Sequence, residues 1–173
     1  MENFMEKNIK PNEFWPWVHE RIKHWLEARR VLLVTFCGLS SAKDFHSDDP
    51  NQGQLLQIFC QQLVDYISEG HFEIFEQLIN EGHLFNDAEA LTSGKKLLPT
   101  IYALTDLILD FNDKYLATDD LSSLAADLSS LGENMAQRFE IEDNMVNILH
   151  SAHYQQVLIS RKPAKLRSIK KPH

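Results

Sequence analysis

Residues 97–115, LLPTIYALTDLILDFNDKY, set Leu97, Ile101, Leu104, Ile108, Phe111 and Tyr115 at steps of 4, 3, 4, 3 and 4. This is the spacing of one face of an α-helix, and a face so apolar has to be buried against a neighbour along its length. Pro99 lies near its start, so the helix either begins around Leu98 or is kinked there by the missing N–H.

The same period recurs on both sides. Val18, Ile22, Trp25, Leu32, Leu33 and Phe36 form a stripe within residues 14–36, with Asn12 as the expected N-cap, Pro16 in the first turn and a start near residue 13. Residues 38–53, GLSSAKDFHSDDPNQG, read as a loop. A second stripe runs through Leu55, Phe59, Leu63, Tyr66 and Ile67 and resumes beyond Gly70 at Phe72, Phe75, Leu78 and Ile79. Gly70 either kinks one helix or separates two; continuity from 54 to 80 is favoured, a rod of roughly 40 Å at 1.5 Å per residue. A short helix is expected from about Asp87. A last stripe, capped at Thr118 or Asp119, takes Leu121, Leu124, Leu128, Leu131, Met135, Phe139, Met145 and Leu149, interrupted by one polar member, Glu142. Four long amphipathic segments predict an all-α fold: an antiparallel up-and-down four-helix bundle of long helices open to kinking at Gly70 and Pro99. The expected organisation is a flexible N-terminus over 1–12, the bundle over 13–159 and a disordered basic tail over 160–173.

The chain has 173 residues, enough for one core, and 10 Phe, 4 Tyr and 3 Trp to fill it without disulfides. Cys37 and Cys60 sit in apolar runs and are expected to be buried free thiols. The first residues carry charges of both signs and no signal-peptide core, and no run of 18 apolar residues occurs, so a cytoplasmic protein without membrane contact is expected. Six of the 17 cations and none of the 25 anions fall within residues 161–173, which leaves residues 1–160 at a net charge of −14. A body of that sign repels nucleic acid and speeds encounter with basic partners, or simply keeps the protein in solution.

No Gly-rich phosphate loop, G-x-S-x-G elbow or C-x-x-C occurs, so no enzyme and no small-molecule substrate is expected. SGKK at 93–96 lacks an upstream glycine and reads as a loop. A metal-carrying bundle of the hemerythrin kind is the main competitor, on His71 with Glu76, Arg138 with Asp143, and His150 with His153. Arg138 cannot ligate a metal and Phe75 occupies the place of a second carboxylate, so structural roles and no cofactor are favoured; His19 and His24 read as a solvated or partly packed face. Around Asp65, Glu69, Phe72, Phe75 and Glu76, acidic and aromatic groups alternate, a mixture that suits a binding surface or an ordinary exposed helix face. Trp25 is expected to be half buried.

Three blocks, WLEARRVLLVTF at 25–36, FCQQLVDYISEGHFEIFEQL at 59–78 and LGENMAQRFEIEDNMV at 131–146, together resemble the Rsd/AlgQ family over roughly residues 15–153. The resemblance implies a helical anti-sigma factor that binds the primary sigma factor of RNA polymerase and keeps it from core enzyme and promoter DNA. It further implies a surface that includes the Leu-Val-Asp-Tyr segment, with Asp65 first, then Phe72 and Glu76, followed by Trp25 and Arg29. The partner region expected is sigma's basic promoter-reading C-terminal domain, with no direct DNA binding by this chain. An adaptor acting on a cytosolic signalling enzyme is the other role the family suggests. The sequence departs from the family at Phe75, where Tyr is common, at Phe-Trp-Pro-Trp (14–17) and in its basic tail.

Overall fold

Pro11 opens the first helix. In the computed structural model, which describes residues 8–41 and 50–161, α1 runs Pro11–Ser40. Its N-cap is Lys10, in extended backbone, whose carbonyl accepts the N–H groups of Glu13 and Phe14. The start therefore falls before residue 13 and Asn12 is not the cap: proline at the first helical position has its φ preset and no N–H to leave unpaired. α2, Pro50–Glu69, likewise starts on a proline, earlier than the expected 54. It passes through a π-helical turn, Gly70–Ile74, straight into α3, Phe75–Leu84, so the two are continuous.

α4, Ala88–Lys95, is capped by Asp87, whose side chain accepts from the Ala90 N–H. SGKK is thus the end of a helix and not a loop; Gly94 is buried under Leu149, so closely that a Cβ there would stand 2.6 Å from Leu149 Cδ1. α5, Leu98–Ala117, starts at Leu98, with Pro99 harmless in the first turn. α6, Leu124–Leu149, starts later than Thr118 or Asp119. Thr118 and Asp120 close turns instead: Thr118 Oγ1 accepts from the Asp120 N–H and Asp120 Oδ1 from the Ser122 N–H, which competes with helix initiation. After a 3₁₀ turn at Ser151–His153, α7, Tyr154–Arg161, ends the described chain. Most of the expected disordered tail (162–173), residues 42–49 of the expected loop and residues 1–7 of the N-terminus lie outside the described residues.

Pair contacts give the direction of the four long helices. Trp25 meets Tyr66 and Phe36 meets Phe59, so α1 and α2 are antiparallel. Phe59 meets Phe111 and His71 meets Tyr102 (α2 and α5), Tyr115 meets Asp127 and Thr105 meets Arg138 (α5 and α6), and Trp15 meets His150 while Arg29 meets Asp143 (α6 and α1). The result is the up-and-down four-helix bundle, all-α among the described residues. Its core runs from Phe14 and Trp25 through Phe59, Leu63 and Ile101 to Met135 and Leu149. α1 and α6 approach closely at Gly132, where a Cβ would lie 2.9 Å from the Phe36 ring. Cys60 is buried, and burial pushes its thiol up to about 11; Cys37, also expected to be buried, is exposed because it lies outside the apolar stripe of α1.

The polar break at Glu142 is an interior ion network. Arg138 and Glu142 are fully buried. Glu142 accepts from Arg138 Nε (2.6 Å), from Arg29 Nη2 (3.0 Å) and from the Tyr66 hydroxyl, and Arg138 reaches on to the Thr105 hydroxyl. One residue or more from each long helix joins this knot.

Candidate functional site

The π turn is placed by a packing conflict. Trp25 is completely buried, not half buried as its sequence setting suggested, stacked 5.0 Å from the Tyr66 ring with its indole N–H donating to the Tyr66 carbonyl at 3.1 Å. A Cβ at Gly70 would lie 2.9 Å from this indole, so only glycine lets α2 pass so close. There the helix widens, the Phe75 N–H donating to the Gly70 carbonyl five residues back. Such turns recur at functional positions. This one splits two aromatics that an α-helix would keep on one face: Phe75 is 4% exposed and Phe72 is 61% exposed.

Around Phe72 the outer faces of α1 and α2 form a shallow depression lined by Arg21, His24, Asp65, Ser68, Glu69, Phe72 and Glu73. Asp65 is exposed and accepts from Gln61 Nε2 at 2.8 Å. Glu69 faces His24 at 3.4 Å, and Arg21 forms an ion pair with Glu73. Glu76 is exposed one turn further on. Of the expected site residues, the structure brings together Asp65, Glu69 and Phe72, with Glu76 adjoining. Trp25 and Phe75 are core residues that have no surface to offer and instead support the turn. Arg29 points inward, bonded to the Tyr66 hydroxyl (2.9 Å), Glu142 (3.0 Å) and Asp143 (2.6 Å). Burial lowers its pKa, but Tyr66 and the two carboxylates more than reverse this and hold the guanidinium charged. Arg21, His24 and Glu73 complete the depression; pairs that cross from α1 to α2 leave no mark in either segment alone.

At one end of the bundle a second polar cluster joins five elements. Glu81, fully buried on α3, faces His150 Nδ1 at 2.7 Å and His153 Nδ1 at 3.3 Å; His153 Nε2 faces Asp87 at 3.1 Å, and His150 Nε2 faces His19 Nδ1 at 3.1 Å. Trp15 stacks on both His19 and His150. Among the described residues no group of three or more His, Cys, Asp or Glu side chains is placed to hold a metal ion. The hemerythrin-like alternative therefore finds no site there: His71 packs against Phe72 and Tyr102, and Arg138 and Asp143 go to different partners.

Burial opposes the charge of His153, but Glu81 and Asp87 outweigh it and raise its pKa, consistent with acceptors at both ring nitrogens. A histidine raised in the folded state gives stability that is complete below its unfolded value, about 6.5, and is lost as pH rises through the folded one. His153→Gln accordingly costs more stability near pH 6 than near pH 8.5 in urea unfolding, a range bracketing that value. An equal cost at both would show that folding leaves the pKa of His153 where it is in the unfolded chain.

In class, this is an all-α four-helix bundle with an acidic, aromatic candidate docking face, and no described helix is long and apolar enough to cross a membrane. Residues 4–150 match the family model described as regulator of RNA polymerase sigma(70) subunit, Rsd/AlgQ. The chain is 35% identical over 136 residues to the regulator of sigma D of Yersinia pseudotuberculosis, which covers 74% of this chain and 78% of that one. It is 34% identical over 140 residues to the regulator of sigma D of Pectobacterium carotovorum, with 75% and 87% covered. This chain belongs to the Rsd/AlgQ family of sigma(70) regulators.

Proposed function

We propose that this protein is an anti-sigma factor that binds the primary sigma factor in the cytoplasm and keeps it from core enzyme and promoter DNA by occlusion. The observation that carries the reading is Phe72, a largely exposed aromatic at the π turn with Asp65, Glu69, Glu73 and Glu76 around it. An aromatic anchor within a rim of carboxylates suits a basic protein surface, because the ring contributes burial while the carboxylates pair with Arg or Lys. Sigma's promoter-reading C-terminal domain is such a surface. Membership in a family of sigma(70) regulators supports the choice of partner. Neither direct DNA binding nor a small-molecule substrate enters the mechanism.

The test is a titration of the primary sigma factor of the same organism at two salt concentrations. Phe72→Ala weakens binding by about 30-fold, the equivalent of about 2 kcal/mol for an interface hot spot, and leaves thermal stability unchanged. Asp65→Lys weakens it further at low salt than at high salt. Wild-type affinity in both variants sinks the site; no sigma binding by the wild-type chain sinks the function.

A further inference from the structure

We propose that the docking face continues from α2 across His71 onto α5, with Tyr102 as a second aromatic anchor and Asp106 and Asp113 as a second acidic row. Its occupant is a compact basic helical surface at least two helices wide. The inference rests on the proposed sigma-binding role and says how much of the bundle that role uses.

His71 links the two helices: its ring lies 4.8 Å from that of Phe72 and 5.1 Å from that of Tyr102. Tyr102 is 43% exposed, so Phe72, His71 and Tyr102 form an aromatic band from the π turn that follows α2 to α5. Along α5, Tyr102, Asp106, Leu109, Asp113 and Leu116 follow at steps of 4, 3, 4 and 3, a single helix face distinct from the buried face of Ile101, Leu104, Ile108, Phe111 and Tyr115. Asp106, Asp113 and Leu116 on it are exposed. Neither aspartate forms an ion pair within the described chain, whereas the nearby cation on the α1 flank, Arg21, is spent on Glu73. The band therefore shows uncompensated negative charge beside exposed aromatic area, a pairing complementary to a basic surface.

Width decides the shape of the occupant. α2 lies between α1 and α5 at one corner of the bundle, and packed helices sit about 8–10 Å apart, so the face, followed round that corner from the Arg21 and His24 edge to Tyr102, is about 16–20 Å wide. One helix with its side chains is about 10 Å across and leaves half of that face uncovered. Two packed helices cover it.

The experiment titrates the primary sigma factor, and separately a peptide comprising only the recognition helix of its promoter-reading domain, into wild type, Tyr102→Ala, Asp106→Lys and Phe72→Ala. Tyr102→Ala is expected to weaken sigma binding by about tenfold, and Asp106→Lys similarly at low salt. The peptide is expected to bind at least about a hundredfold more weakly than sigma and to ignore Tyr102→Ala, since losing one of two anchors and half the area removes several hot-spot contacts. Because Tyr102→Ala also touches His71, a melting curve accompanies it, and Asp106→Lys, at an exposed position, keeps the test independent of core packing. Sigma affinity within about twofold of wild type in both α5 variants, with Phe72→Ala still weakened, overturns the extension and leaves the sigma-binding reading in place. A peptide that binds as tightly as sigma overturns the two-helix occupant. Loss of the Phe72 effect, or no sigma binding at all, removes the parent reading and this inference with it.

Discussion

Arg138→Met lowers the unfolding free energy by about 3–5 kcal/mol at neutral pH, a large part of the roughly 5–15 kcal/mol that holds an ordinary domain together. Arg138 is fully buried, bonded to Glu142 Oε1 at 2.6 Å and to the Thr105 hydroxyl. Methionine fills much of the volume but leaves that carboxylate oxygen unpaired in the interior. Burial already pushes the Glu142 carboxyl above its ordinary value against the pull of Arg138, Tyr66 and Arg29, and removing Arg138 raises it further. The sign follows: a carboxyl raised in the folded state gives its stability below the unfolded value and loses it as pH rises. The variant is therefore less damaged at acid pH, where protonation of Glu142 removes the uncompensated charge, than near pH 8. Adding Glu142→Gln recovers part of the loss at neutral pH, because the uncompensated charge goes too. Urea unfolding of the two single variants and the double variant measures this, and a single-variant loss below about 1 kcal/mol would mean the network holds nothing.

Trp25→Ala costs about 3–5 kcal/mol, the range for truncating a buried aromatic. Trp25 has no exposed surface, stacks on Tyr66, meets Phe75 edge-on at 5.9 Å and bonds the Tyr66 carbonyl. Part of the cost has a signature of its own, because the same indole excludes a side chain at Gly70. Gly70→Ala is destabilising in wild type, but in the Trp25→Ala background the added methyl enters vacated space and the helix gains a better former than glycine. The two changes are therefore strongly non-additive in denaturant unfolding. Additive losses would show that Trp25 does not set the path of α2 at the π turn.

What the sequence made legible divides along physical lines. The stripe from Leu97 to Tyr115 needed only a count of residues, since burial of one helix face imposes its period directly on the chain. Glu142 was visible as an interruption, but nothing in α6 alone revealed that Arg29 and Tyr66 come from other helices to meet it. Phe72 and Phe75, three residues apart, looked like neighbours on one surface, because that is where an α-helix puts them. The bond from Phe75 back to Gly70 adds a residue to the turn and sends one ring outward and the other inward. Only the glycine hinted at it. Trp25 was misjudged for the related reason that its burial depends on the absence of a side chain on another helix. The caps at Thr118 and Asp119 failed because Thr and Asp serve turns as readily as helix starts.

The ties of α1 to the far end of the chain also set a schedule. Arg29 bonds Glu142, 113 residues later, and the Trp15 indole donates to the His150 carbonyl, 135 residues later. At about 5–20 residues per second of synthesis, the first helix waits roughly 6–27 s for these partners to be made. Until then Trp25, Phe14 and Ile22 are an apolar strip covered only by the elements made before α6, among them α2, the π turn and α3. The first helix therefore stays partly uncovered for most of the time it takes to make the chain, and its packing is completed only when the last long helix is available.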